Sequence, residues 1–433
     1  MALPRTRARI AALALSIITT FAILHGQSQP MCDPGNGGIA LPDGFCAFVA
    51  ANDLGIARHM TAAPNGDLYV ALMARGGPGS PGTGGGGFVA LKDTDKNGRF
   101  EVKEMVSGAS TTGIALHNGY LYLAHPTTIE RIKMTAGQLK PTGMPEVIVT
   151  GLPSDRQHED KGIAFDGRGS LYINIGAPSN ACQNPDRRPG VKGQDPCPLL
   201  EKHAGIWKFD ENKLGQTADS GTRFATGLRQ MPAITWHDNA LYIAMHNRDQ
   251  LDTFWPNAFT AKDNAERPAE ALFRASKGGE NFGWPYCFYD YTMKSFVLNP
   301  EYGGDGKQVG RCKEFTNPVA AYPAHWAPVD IMFYTGTQFP AKYRGGAFIA
   351  FHGSWNRSPM PQAGYNVTFQ PFGKGQASGM FEVFAQNFAG KEPLMQPNDA
   401  VARPDGVEQA PDGSLYISDS QKGTIWRVMY RAK

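Results

Sequence analysis

Asn65-Gly66-Asp67-Leu68-Tyr69-Val70 decides the fold, because the same pattern returns along the chain. The copies read Asn118-Gly119-Tyr120-Leu121-Tyr122-Leu123, Gly169-Ser170-Leu171-Tyr172-Ile173, Asp238-Asn239-Ala240-Leu241-Tyr242-Ile243 and Asp412-Gly413-Ser414-Leu415-Tyr416-Ile417. Gly345-Gly346-Ala347-Phe348-Ile349-Ala350 is a degenerate sixth. Each begins with residues that tolerate positive φ and continues with an aromatic and β-branched run suited to a pleated strand. Apolar runs also precede some turns, as in Ile163-Ala164-Phe165 and Ile234-Thr235-Trp236. Hairpin follows hairpin, with no sustained 3.6-residue apolar period. The pattern predicts an all-β chain, a six-bladed β-propeller of four-stranded antiparallel sheets. A β-sandwich or β-helix suits the uneven repeat spacing less well than blades with insertions. The long intervals place those insertions near residues 177–204 and 250–330, and residues 31–433 read as one domain.

Composition agrees. The 433 residues include 51 Gly and 32 Pro, an excess that favours tight turns over helices. Lys and Arg number 42 against 39 Asp and Glu. Three of the cations, Arg5, Arg7 and Arg9, stand at the start, so the remainder is close to neutral and lacks the basic excess of a nucleic-acid partner. The apolar run 10–24 that follows them is short for a membrane span and suits an export signal over residues 1–30. The expectation is a periplasmic or secreted protein with no stable membrane insertion of the mature chain. Export to an oxidising compartment favours disulfides among the 6 cysteines. The short intervals suggest Cys32–Cys46, Cys182–Cys197 and Cys287–Cys312 among the possible pairings. No C-x-x-C-H occurs, so no c-type haem is attached to this chain.

Several segments bear on chemistry. Residues 77–82 match G-x-G-x-x-G, but prolines interrupt them and no helix start follows, so a loop is expected. The segment from Asp93 through Asp95, Asn97 and Arg99 to Glu104 matches a calcium-loop pattern between strand-like flanks. It reads equally as a structural calcium site or as an acidic turn without metal. His158 precedes the strand at 162–165, where an imidazole facing a central cleft suits a general base; by itself it is an ordinary loop histidine. Arg229, Arg248, Arg357 and Arg403 recur near strand ends. If those ends meet at the propeller axis, the guanidiniums converge on a polyanionic small ligand.

Together these segments resemble the soluble quinoprotein sugar dehydrogenases, the glucose/sorbosone dehydrogenase family, over most of residues 40–430. The resemblance rests on Leu41-Pro42-Asp43-Gly44-Phe45, on Gly151-Leu152-Pro153-Ser154 through His158, and on Gly227-Leu228-Arg229. The more distinctive matches are Gly279-Glu280-Asn281-Phe282-Gly283-Trp284-Pro285 and His352-Gly353-Ser354-Trp355-Asn356-Arg357, the latter typical of the sorbosone-type branch. The resemblance implies a propeller that holds pyrroloquinoline quinone (PQQ) and calcium in its central cleft. His158 would take the sugar hydroxyl proton, and Arg229 would stabilise charge on the quinone. Lys161, Gln230, Arg248, Arg357 and Arg403 would meet the cofactor, and carbonyls near Asn247 and Arg248 would hold calcium. Electrons would leave to an external acceptor, a separate cytochrome or quinone. Gln230 replaces the family's Asn, Asn247-Arg248 its Gly-Pro pair, and the acid Asp405 one of its cations.

Two other functions compete. A calcium-dependent propeller hydrolase such as a lactonase would draw on His158-Glu159-Asp160, Asp249 and Asp330. A non-catalytic sugar-binding propeller would use the aromatic segment 282–291 as a stacking surface.

Overall fold

In the computed structural model, residues 1–2, 30–74, 85–155 and 157–431 are described. The segment expected to be an export signal, apart from its ends, and the loop 77–82 lie outside them. Met31–Lys433 cluster as one unit. The chain is nearly all-β and forms a six-bladed propeller.

Each blade contributes an inner strand: Ile56–Ala62, Gly113–His117, Ile163–Phe165, Gln230–His237, Pro328–Phe333 and Pro404–Gln409. Each of these six touches the next in cyclic order, so they enclose the axis. The recurrent turn joins each inner strand to the second strand of its blade, as at Asn118-Gly119 between Gly113–His117 and Tyr120–Ala124. Asn118, Asp238 and Asn239 have positive φ there, as the turn type demands. Two blades gain a short fifth strand, Gln216–Thr217 on one and Glu280–Asn281 on the other.

The tyrosine of the repeat explains why it recurs. On the second strand it packs against the last aromatic of the next blade's inner strand. Tyr122 meets Phe165 at 4.8 Å, Tyr172 stacks on Trp236 at 5.1 Å, and Tyr242 meets Phe333 at 4.6 Å. Such a ring stabilises the joint between blades by roughly 1.5–3 kcal/mol through burial. The ring closes through Phe45–Ala51, which pairs with Ile425–Tyr430, so both ends of the propeller share the sixth blade.

All three expected disulfides form: Cys32–Cys46, Cys182–Cys197 and Cys287–Cys312. The last two staple the two long insertions. The aromatic segment 282–291 is no stacking surface, because Phe282, Trp284, Tyr286 and Phe288 are buried in the core. Among the described residues no helix is long and apolar enough to cross a membrane.

Candidate active site

The turns mark one end of the sheets. At the other end, inner strands begin, second strands finish, and four of the inner strands carry a register shift. The shifts fall between Ala57 and Met60, Gln230 and Ala233, Pro328 and Asp330, and Pro404 and Val407. Such bulges re-aim side chains beside active sites. A cavity of about 310 Å³ opens there, lined by Gln157, His158, Arg187, Arg229, Gln230, His246, Asn247, Asp249, Glu270, His325, Ala327, Trp355 and Asn356.

His158 sits at φ 57° in the loop before Ile163–Phe165. Its Nδ1 lies 2.6 Å from the Ala177 carbonyl oxygen. A carbonyl oxygen only accepts, so Nδ1 carries the proton and Nε2 keeps its lone pair. Burial, reinforced by the Arg229 charge, holds the imidazole well below its ordinary pKa of 6.5. The ring is therefore neutral, oriented and able to accept a proton at Nε2. Gly176 makes room for this loop: a Cβ there would lie 2.4 Å from the His158 carbonyl oxygen and 2.8 Å from Gln230 Oε1. Gly176→Ala should therefore displace the imidazole, and any turnover that uses it should fall about tenfold or more, with the circular dichroism spectrum unchanged. An unchanged kcat would show that the loop has slack.

Asp249 ties the site together. Its Oδ2 accepts from Arg229 Nη2 at 2.6 Å and Arg187 Nη2 at 3.2 Å, and its Oδ1 accepts from Asn356 Nδ2 at 2.8 Å. Asn180 bonds its main chain on both sides. Burial opposes ionisation, but the two guanidiniums outweigh it and hold the carboxyl far below the ordinary carboxylate range. Arg229, 2 % exposed, also donates to the Asn247 carbonyl at 2.8 Å. Burial lifts Glu270 to about 8 and takes His246 down to about 4.

The structure thus gathers His158, Arg229, Gln230 and Asn247. It does not bring the other expected residues to the cavity wall. Arg248 is the clearest correction. Its guanidinium turns into the insertion of its blade, where Glu301 and Asn299 pair it in full burial. Arg357 donates to the main-chain carbonyls of Pro361, Ala324 and Ala265. Lys161 is buried behind the His158 loop, donates to the Glu159 carbonyl at 2.6 Å, and is drawn down to about 8 by burial. Arg403 reaches the carbonyls of His352 and Gly353. It belongs to a neighbouring buried group in which Arg58 bridges Asp405 at 2.8 Å and Asp160 at 3.0 Å. The acid at 405 is thereby answered by a cation from the first blade.

The calcium-loop register is also corrected. Glu104 lies on the strand Val102–Ser107, whereas Glu101 joins Asp93 and Asp95, the three carboxylates lying within 4.8 Å of one another. Asn97 caps this turn through its own N–H, and Arg99 leaves it to pair with Asp33. The hydrolase reading fares worse. Glu159 is bound to Ser154, Asp160 to Arg58, Asp249 to two arginines, and Asp330 to main-chain N–H groups, and among the described residues none of them belongs to a group of three carboxylates or imidazoles close enough to share a metal ion.

Arg187, His246, Glu270 and His325 carried no local sign in the sequence. Trp355 and Asn356 stood inside a recognised segment whose weight fell on Arg357 instead.

Comparison with known proteins gives these positions a setting. A PQQ-dependent pyranose dehydrogenase of Coprinopsis cinerea is 28% identical over 284 residues, 55% of this chain and 36% of that one. An uncharacterized protein of Borreliella burgdorferi is 28% identical over 209 residues, 48% of each. The chain thus spans less than half the length of these curated relatives. Among solved structures, the holo PQQ domain of the Coprinopsis cinerea pyranose dehydrogenase superposes with a TM-score of 0.69 at 18% identity, covering 94% of this chain and 99% of that one. The calcium structure of a Trichoderma reesei enzyme of carbohydrate-active family AA12 gives 0.71 at 18%, over 91% and 97%. The apo soluble aldose sugar dehydrogenase of Escherichia coli gives 0.56 at 14%, over 89% and 100%. At such identities these superpositions establish a shared fold. The sequence model of the TrAA12-like family matches residues 39–431, nearly the whole propeller, and the chain belongs to that family.

Proposed function

We propose that this protein is an exported dehydrogenase that oxidises a pyranose or related aldose in the axial cavity, using PQQ and calcium. The observation that carries the reading is His158: a neutral imidazole fixed through Nδ1, whose Nε2 has no partner among the described residues at the cavity wall. When bound, PQQ would supply a two-electron acceptor and calcium a Lewis acid. His158 takes the hydroxyl proton at Nε2 as the sugar carbon is oxidised.

The lining suits both groups. Arg229 Nε, Gln230 Oε1 and Asn356 Oδ1 are buried without a partner among the described residues. The guanidinium N–H fits a carboxylate of a polyanionic cofactor, and the two amide oxygens fit a hard cation. Arg229, Gln230, Asn247 and Asn356 would hold these groups. Three disulfides fit an oxidising compartment. Electrons leave to a separate acceptor.

Purified protein given PQQ and calcium should reduce a dye when a sugar is added, with a matching change in quinone absorbance. Chelation of calcium should abolish the reduction. No absorbance change across a broad panel of aldoses and pyranoses would overturn the reading.

A further inference from the structure

The geometry points to Trp355 as the substrate platform of this site, an indole on which the C–H face of a pyranose ring stacks while His158 meets its hydroxyl. The proposal rests on the sugar-oxidising reading above and names the residue that selects the ring.

The chain has 7 tryptophans, and six of them are accounted for by the fold. Trp207 is buried. Trp236 stacks on Tyr172, and Trp326 packs against Phe351. Trp255, Trp284 and Trp426 donate their ring N–H to Glu301, Asn180 and Gly37. Trp355 alone is exposed, at 53 %, and it lines the same cavity as His158. Among the described residues its ring meets no other ring and its N–H bonds to no partner. A large aromatic left open to water costs hydrophobic free energy unless a ligand covers it.

Its backbone is nevertheless held firmly on both sides. Ser354 Oγ donates to Gln362 at 2.7 Å, and the Tyr365 hydroxyl donates to the Ser354 carbonyl at 2.6 Å. Asn356 Nδ2 donates to Asp249 at 2.8 Å, and Asn264 donates to the Asn356 carbonyl at 2.9 Å. An exposed ring on a braced loop is prepared for binding rather than merely mobile. Indole presents a π-face with no hydrogen-bond acceptor. Its complement is therefore the face of a sugar that offers polarised C–H bonds, as an all-equatorial pyranose does, and not an open-chain polyol.

Two measurements test this. In protein loaded with PQQ and calcium, Trp355→Ala should raise KM for D-glucose at least tenfold and change kcat less than twofold. Trp355→Phe should stay within threefold of the wild type. In protein without added cofactor, saturation-transfer NMR with methyl β-D-glucopyranoside, which is all-equatorial and whose blocked anomeric centre is not an aldose, should give ring C–H signals for wild type and Trp355→Phe but not Trp355→Ala. A KM within twofold of wild type in Trp355→Ala, or equal saturation transfer in wild type and Trp355→Ala, overturns the platform and leaves the dehydrogenase reading standing. If wild type oxidises no sugar but the NMR signal depends on Trp355, the oxidation reading falls and the platform stands. No saturation transfer in wild type overturns the platform.

Discussion

Replacing His158 by alanine should lower kcat for sugar oxidation by about 10²–10⁴-fold, the usual contribution of a positioned general base. Binding of PQQ, followed by its absorbance, should persist, because Arg229 keeps its bonds to Asn247 and Asp249 without the imidazole. His158→Gln supplies a control for folding. Its amide N–H can still donate to the Ala177 carbonyl, yet it offers no basic nitrogen. It should fold like wild type and be as inactive as the alanine variant. The pH dependence follows from the burial of the ring. An imidazole accepts a proton only while neutral, and burial with the Arg229 charge disfavours its protonation. As pH falls, the base therefore stays competent through the range where an ordinary histidine would protonate. The acid limb of kcat/KM should lie well below pH ~6.5. A kcat within tenfold of wild type in both variants would remove His158 from the chemistry.

The sequence carries the propeller because its joints are local. Turn residues with positive φ and a buried tyrosine, or Phe348 in the degenerate copy, sit within six positions of one another in each blade, so each repeat announces a hairpin. The site is assembled differently. Arg187 comes from a stapled insertion, His325 from the approach to the fifth blade, and Asn356 from the exit of a second strand, and only folding brings them to Asp249. No spacing encodes that meeting. The error at Arg248 has the same origin. Phase along a strand places a residue at the axial end, but the side chain turns inward or outward according to its partners, and Glu301 lies more than fifty positions away. Arg229, at an equivalent strand end, points to the cavity because Asp249 and the Asn247 carbonyl are there to receive it.

That dependence makes Asp249 the position where stability and chemistry are hardest to separate, and Asp249→Ala should cost about 3–5 kcal/mol of folding stability. The reason is asymmetric. Removing the carboxylate leaves the Arg229 charge buried with only the Asn247 carbonyl to compensate it, and frees Arg187 and Asn356 from their common anchor. Asp249→Asn should lose less, because an amide oxygen still accepts from a guanidinium. It cannot, however, serve both arginines and the Asn356 amide as two carboxylate oxygens do. The pH dependence has a definite sign. The folded pKa of Asp249 is depressed, so between it and the unfolded value near ~3.9 the unfolded chain binds more protons. The contribution is therefore fully present above about pH 4 and is lost as the pH falls through the folded value. The gap in denaturant midpoint between wild type and Asp249→Asn should be smaller near pH 3 than at neutral pH. The alanine variant should also gain more stability from saturating PQQ than wild type does, because anionic carboxylates would then meet guanidiniums that no protein acid neutralises. A loss below about 1 kcal/mol in Asp249→Ala would mean that Arg229 finds water or another acceptor at no cost. The cavity would then be far wetter than its buried, unpartnered amides indicate.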